Sequence, residues 1–295
     1  MQVIEFEQKL NEPIVLCLGY FGCMHTGHVA LLDVAKRRAQ QLHAKVALFT
    51  FSNNHLRVLG RDVKVLYTFE ERLQIYESLG VDYVLAAEFT NEFRAKTGLE
   101  FANDIAHYTL KGVVCGFDYT CGCDRLESDE LQKALSTVCS VDVVEPVCWN
   151  RYKVSTTLIR KLLGENQLAL ANDLLSEPYF LTGKVVDGRK VGSKIGFPTA
   201  NLQIDSDKML PVGVYGGVVK VRDIKYKCIV NIGNKPTFDE DSPTVEAHLI
   251  DFDGDLYGQT LKVTLTKFLR GISKFASPTE LTKQLQVDRE KVLHD

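Results

Sequence analysis

The sequence lacks any uninterrupted apolar run approaching ~20 residues, the length that a membrane-spanning helix requires, so no helical span is expected. Its opening residues, Met1-Gln2-Val3-Ile4-Glu5-Phe6-Glu7, lack the basic-then-apolar order of a secretory signal, and the cytoplasm is the expected location. There is no excess of positive charge: 35 lysines and arginines face 38 aspartates and glutamates, a net charge of −3. A nucleic-acid binder working through a broad basic field is disfavoured, and anionic ligands must be held by local backbone dipoles and a few cations. Paired C-x-x-C knuckles are missing from the eight cysteines. Zinc at Cys115, Cys121 and Cys123 is therefore not expected. Cysteines in apolar runs, such as Cys17 and Cys115, read as small hydrophobes with free thiols. Internal repeats and low-complexity segments are absent too. What remains is 295 residues, 45% hydrophobic and 25% charged, a globular composition with length enough for two cores.

The periodicity divides the chain. Strand-like segments at Val15 to Gly19, Val46 to Phe51, Val81 to Ala86, Gly112 to Cys115 and Val141 to Val147 alternate with helix-like ones. The helices are read at Gly27 to Leu42, from the capping-box signature at Thr68 to Gly80, at Leu99 to Leu110 and at Ser128 to Ser136. Such alternation predicts an α/β doubly wound parallel sheet, with ligands at the carboxyl ends of its strands. Ser155 to Leu175 reads as one or two helices broken around Gly164. After Glu177-Pro178 the pattern becomes successive strands at Tyr179 to Val186, Val214 to Val221, Tyr226 to Ile232, Thr244 to Phe252 and Thr260 to Phe268, then a closing helix from Pro278 to His294. That predicts an antiparallel β-barrel with a C-terminal helix. The domains are read as residues 1–177 and 178–295.

The first strand runs into Gly19-Tyr20-Phe21-Gly22-Cys23-Met24-His25-Thr26-Gly27-His28. Glycine at a strand end lets backbone N–H groups approach phosphates, and the following helix start adds a positive dipole end. Two imidazoles three residues apart can face one anionic group. The spacing suits attack of a phosphate on the α-phosphorus of ATP, a reaction that needs positioning and charge stabilisation rather than a protein nucleophile. It resembles the G-x-F-x-x-x-H-x-G-H signature of the nucleotidyltransferase superfamily. A second stretch, Val154-Ser155-Thr156-Thr157-Leu158-Ile159-Arg160, is similar to that superfamily's S-S/T-T-x-I-R element. The resemblance implies catalytic roles for His25 and His28 and ATP-phosphate contacts from Gly19, Phe21, Gly27, Ser155, Thr156 and Arg160. Ser155 also reads as a plain helix N-cap.

In the second region Gly188, Gly192 and Gly196 lead into Phe197-Pro198-Thr199-Ala200-Asn201, a loop suited to lie against phosphates. If extended, this segment puts Thr199 and Asn201 on one face, where a hydroxyl and an amide oxygen can hold Mg²⁺. Glu246 lies in an otherwise apolar strand; alternation puts it on the solvent side, and a carboxylate there can also serve as a general base. The whole region from about Tyr179 onward resembles riboflavin kinase. The resemblance rests on Gly196 to Asn201, Gly213-Val214-Tyr215, Asn231-Ile232-Gly233, Pro236-Thr237-Phe238, Asp251 to Gly258 and Phe268-Leu269-Arg270. It implies a six-stranded barrel, Mg-ATP at Thr199 and Asn201 with Gly192 and Gly196 beside it, and Glu246 as base on the ribityl 5′-hydroxyl.

The two regions in this order resemble bacterial bifunctional FAD synthetases. The layout implies a transferase that phosphorylates riboflavin to FMN and adenylylates FMN to FAD, with ATP, riboflavin and FMN as small-molecule substrates and Mg²⁺ for both steps. Flavin contacts are implied at Asp118, Tyr119 and Arg270. No nucleic-acid or membrane partner is implied, and no oligomeric state. The adenylyltransferase half departs from the family in three places. Gly22-Cys23-Met24 stands for Asp-Gly-Val, Ser52-Asn53-Asn54-His55 for Asp-Pro-His-Pro, and Cys121 for a phenylalanine near the flavin. A kinase with an N-terminal domain that binds nucleotide but transfers poorly is the alternative enzyme. A non-catalytic flavin-binding regulator is the alternative of another class.

Overall fold

The computed structural model describes residues 1–188, 196–234 and 243–294. The chain falls into two compact units, Met1–Thr156 and Thr157–Asp295.

In the first unit the strands are β1 (Gln2–Glu5), β2 (Ile14–Leu18), β3 (Lys45–Phe51), β4 (Tyr83–Ala87), β5 (Leu110–Gly116), the short β6 (Thr120–Cys121) and β7 (Leu126–Glu127), β8 (Ser140–Val144), and the short β9 (Cys148–Trp149) and β10 (Tyr152–Lys153). Six of them form one parallel sheet in the order β1-β4-β3-β2-β5-β8. β2 is central and buried at every position, hence its unbroken apolar run. Order reverses on either side of β2, so the turn after it opens at a switch point of the sheet. Helix α1 (Thr26–Gln41) starts in that turn, α2 (His55–Val58) follows β3, and α3 (Phe69–Ser78) is opened by the Thr68–Glu71 capping box read from the sequence. After α4 (Asn91–Ala95) comes α5 (Gly98–Ala106), shorter than the expected Leu99 to Leu110. Leu110 instead begins β5, where it is buried in the core with Ile14 and Leu135. Helix α6 (Ser128–Leu135) lies before β8.

Helices α7 (Thr156–Gly164) and α8 (Leu168–Leu174) precede a closed antiparallel barrel. Its strands are β11 (Phe180–Val186), β12 (Ala200–Ile204), β13 (Gly213–Val221), β14 (Ile224–Asn234), β15 (Pro243–Leu249) and β16 (Thr260–Arg270), ordered β11-β12-β15-β14-β13-β16. The sixth strand, β12, grows out of the segment read as a phosphate loop. Alternation sets two faces. Leu202, Val245 and Ile232 share one row and are buried; Asn201, Glu246 and Asn231 share the next row and are half-buried. On the latter face the C-terminal helix Pro278–Leu293 lays Val292 against Val214, Ile229 and Ile250. The eight thiols are free, and no group of metal-ligating side chains is found among the described residues.

Candidate active sites

The turn after β2 is built on strain that neighbours hold in place. Phe21 is fully buried with φ of 48°, the left-handed region that a bulky residue rarely adopts. Its ring packs over Gly19, where an added Cβ would come within 3.0 Å of it. Its carbonyl accepts a hydrogen bond from Tyr76 Oη at 2.7 Å. The preceding carbonyl, of Tyr20, accepts from Thr50 Oγ1 at 2.5 Å. Arg72, buried without a carboxylate partner among the described residues, donates to Thr50 Oγ1 and to the Phe51 carbonyl, both at 2.8 Å, and stands over the Tyr20 ring at 5.2 Å. The conformation of the motif is thus fixed from β3 and α3.

His25 is the N-cap of α1. Its Nδ1 accepts the backbone N–H of His28 at 3.2 Å. A neutral His25 therefore carries its proton on Nε2, as a donor. His28 Nδ1 donates to the Cys23 carbonyl at 2.5 Å, which leaves Nε2 as the acceptor. The two rings stack at 3.8 Å. Burial, and for His25 also His28 and Lys153, lowers the pKa of His25 to about 2. Burial takes His28 to about 4. A Cβ at Gly27 would crowd the His25 ring at 3.1 Å and push it by a few tenths of an ångström, so the bare Cα lets that ring keep its place. Thr156 Oγ1 lies 3.6 Å from Cys23 Sγ, so the second element reaches the first. Ser155 directly precedes α7.

Asp118 pairs with Lys153, whose charge acts on both imidazoles. Tyr119 is half-buried against the sheet core. Cys121 is 9% exposed and its thiol is pushed up to about 12 by burial, so it serves as core. Arg160 stands beyond the unit boundary, in the second unit, where its guanidinium donates to Met209 Sδ at 3.7 Å.

In the barrel, Glu246 on β15 lies directly opposite Asn201 on β12 and Asn231 on β14. Thr199 immediately precedes β12, two residues from Asn201. A Cβ at Gly188 would fall 2.0 Å from Asn201 Nδ2, so the bare Cα of Gly188 leaves room for that carboxamide. Gly196 has φ of 83°, a conformation that favours glycine. Gly192 and Pro236-Thr237-Phe238 lie outside the described residues. His248 Nδ1 donates to the Pro198 carbonyl at 2.8 Å, and its ring packs on Phe197, fastening the motif to β15. Arg270 ends the same row, opposite Val214. Its guanidinium is gripped by the fully buried Asp288 at 2.9 and 3.0 Å, and Gln284 donates to Asp288 at 2.9 Å.

The FAD synthetase family model matches residues 7–158, and the riboflavin kinase model matches residues 175–294. The bifunctional riboflavin kinase/FMN adenylyltransferase of Bacillus subtilis is 32% identical, covering 95% of this chain and 91% of its own. The Escherichia coli protein of the same name is 33% identical, covering 95% and 92%. The chain belongs to the bifunctional riboflavin kinase/FMN adenylyltransferase family. A solved structure described as a macrolide-efflux protein from Streptococcus pneumoniae matches with a TM-score of 0.90, at 30% identity over 98% of this chain and 97% of that one. No helix among the described residues is long and apolar enough to cross a membrane.

Several residues around the sites lie outside the motifs. Lys153, two residues before Ser155, is a cation flanking a phosphate element. Thr50 stands in the Thr50-Phe51-Ser52-Asn53-Asn54-His55 segment that matches a family stretch, whereas Arg72 and Tyr76 give no sequence signal, because only folding places them under the turn. Asp288 sits in a helix rich in charge, and its burial is invisible in the pattern.

Proposed function

We propose that the chain carries out both reactions of its family, in domains taken as residues 1–177 and 178–295. The barrel phosphorylates riboflavin with ATP to give FMN and ADP. The first domain joins FMN to the AMP moiety of a second ATP, giving FAD and pyrophosphate. One observation carries this reading: each unit holds its own preorganised polar set, the stacked His25–His28 pair in one and the Asn201–Glu246 row in the other.

For adenylyl transfer, an FMN phosphate oxygen forms a bond to the α-phosphorus, and the bond to the bridging oxygen breaks with its electron pair leaving on pyrophosphate. His25 Nε2–H donates to the phosphate oxygens. His28 becomes a second donor at Nε2 once the polyphosphate charge draws a proton onto it. Gly19, Phe21 and Gly27 supply backbone approach at the start of α1. Ser155 and Thr156 add hydroxyls to the phosphate contacts, while Asp118 and Tyr119 face the flavin.

For the kinase, Glu246 takes the proton of the ribityl 5′-hydroxyl as that oxygen attacks the γ-phosphorus and ADP departs. Gly192 and Gly196 line the phosphates, and Arg270 contacts the flavin. Thr199 and Asn201 supply hard oxygen donors, and Glu246 stands directly opposite Asn201, a donor chemistry that suits Mg²⁺. The metal, when bound, neutralises phosphate charge. The eight free thiols fit a reducing cytoplasm.

Flavin chromatography tests the reading, with the full chain incubated with ATP, Mg²⁺ and either riboflavin or FMN. FAD is expected from both. FMN accumulating from riboflavin, with no FAD from either, would establish the kinase-only alternative; no turnover at all would establish the regulator. His28→Ala should abolish FAD formation and leave FMN formation near normal, whereas Thr199→Ala should do the reverse when FMN is supplied. Loss of both reactions from one substitution in a folded protein would refute independent sites.

A further inference from the structure

Asn231 stands on the kinase face with no role yet assigned. Asparagine is disfavoured inside strands, yet this one sits between Val230 and Ile232 in the middle of the barrel. The register puts it directly opposite Glu246, so both side chains project from one face. Neighbouring strands lie about 4.8 Å apart, which sets the lateral step from Glu246 to Asn231. The next steps along the row are Val214 and then Arg270. Val214 is buried under the C-terminal helix, so on the β14 side of the base the polar group at hand is the Asn231 carboxamide, as Asn201 is on the β12 side. Within the described residues neither the Asn231 nor the Glu246 side chain is taken up by a hydrogen bond.

We infer that Asn231 binds the inner hydroxyls of the ribityl chain and makes the kinase specific for a polyol side chain. This rests on Glu246 acting on the 5′-hydroxyl. With that hydroxyl at Glu246, the adjoining hydroxyls lie within one strand spacing, at Asn231. A carboxamide both donates and accepts, and so does a hydroxyl. A site that hydrogen-bonds a hydroxyl discriminates strongly against a substrate lacking it, because its own polar group is then left unpaired. An aliphatic residue at 231 would favour the strand and offer no such discrimination.

The test compares riboflavin with an N10-(5-hydroxypentyl) flavin, which keeps the terminal hydroxyl and lacks the inner ones. The wild-type full chain should phosphorylate riboflavin with kcat/KM at least about tenfold higher than the analogue. Asn231→Ala should lower kcat/KM for riboflavin by about tenfold or more and change that for the analogue by less than about twofold. Asn231→Ser, which keeps a hydroxyl and is smaller, should recover part of the loss. FMN adenylylation by each variant reports an intact first unit, and circular dichroism reports the barrel. Equal losses on both substrates would mean a structural role and would overturn the inference. So would wild-type kinetics in both variants. If wild-type protein fails to phosphorylate riboflavin, or Glu246→Gln turns over normally, the reading of the kinase site itself fails, and that outcome is separate.

Discussion

Tyr76→Phe deletes one oxygen atom, on α3, and removes a hydrogen bond to the Phe21 carbonyl at 2.7 Å. The apolar ring can keep its packing, since Tyr76 is fully buried and phenylalanine fills nearly the same volume. What changes is the restraint on a residue at φ of 48°. A left-handed bulky residue costs on the order of 1–3 kcal/mol, and leaving a buried carbonyl without its donor costs about 1–3 kcal/mol more. The Thr50 bond to the neighbouring carbonyl persists and limits the relaxation. A net weakening of about 1–2 kcal/mol in the competent turn corresponds to roughly a five- to thirtyfold loss. FMN-to-FAD turnover should fall by that factor, since Gly19, Phe21 and His25 ride on the turn, while riboflavin phosphorylation stays at the wild-type rate. The assay is initial-rate chromatography of both flavin products on one preparation, with a urea titration to confirm folding. Wild-type FAD formation in the variant would refute the idea that Tyr76 holds the turn. An equal fall in kinase rate would refute its confinement to the first site.

Acid should weaken the first unit in a defined window. His25, His28 and His55 all have pKa values lowered by burial, to about 2, about 4 and about 4, from an ordinary 6.5. The fold therefore favours their neutral forms. Their full contribution to stability is present above about pH 6.5. It is lost as pH falls, because the unfolded chain takes up protons that the folded unit refuses, down to about pH 4 for His28 and His55. The urea midpoint should drop between pH 7 and pH 5, and His55→Gln should flatten the drop; an identical slope in that variant would rule out the His55 share. Asp288→Ala strands the Arg270 guanidinium beside a buried site and should destabilise the barrel by about 3–5 kcal/mol. The measurement is chemical denaturation against wild type, and a loss below about 1 kcal/mol would show that the pair contributes little.

Much of the architecture was legible before folding was considered. The alternation of apolar runs with capped helical stretches gave the parallel sheet, and the change of period after Glu177 gave the barrel. The misread helix end at Leu110 shows the limit: propensity and periodicity do not say where the chain must turn to bring Leu110 into the sheet core. Local spacing placed His25 and His28 together because three residues at a helix start face one side. Thr199 and Asn201 were likewise near neighbours in sequence.

Residues distant in sequence were another matter. The chain's motifs by themselves determined which chemistry is carried: an H-x-G-H turn after a strand and a G-F-P-T-A-N segment beside a strand glutamate. Tertiary structure alone decided how those groups are held. Strand register put Asn231 and Asn201 on either side of Glu246. Burial made Asp288 the anchor of Arg270 and lowered the two imidazoles. Folding of α3 against the end of β3 put Arg72 and Tyr76 at the Phe21 turn. The physical reason is one of range. Dihedral preference and capping act over a few residues and leave their mark in sequence, whereas register, burial and desolvation depend on chain segments that meet only after the fold has closed.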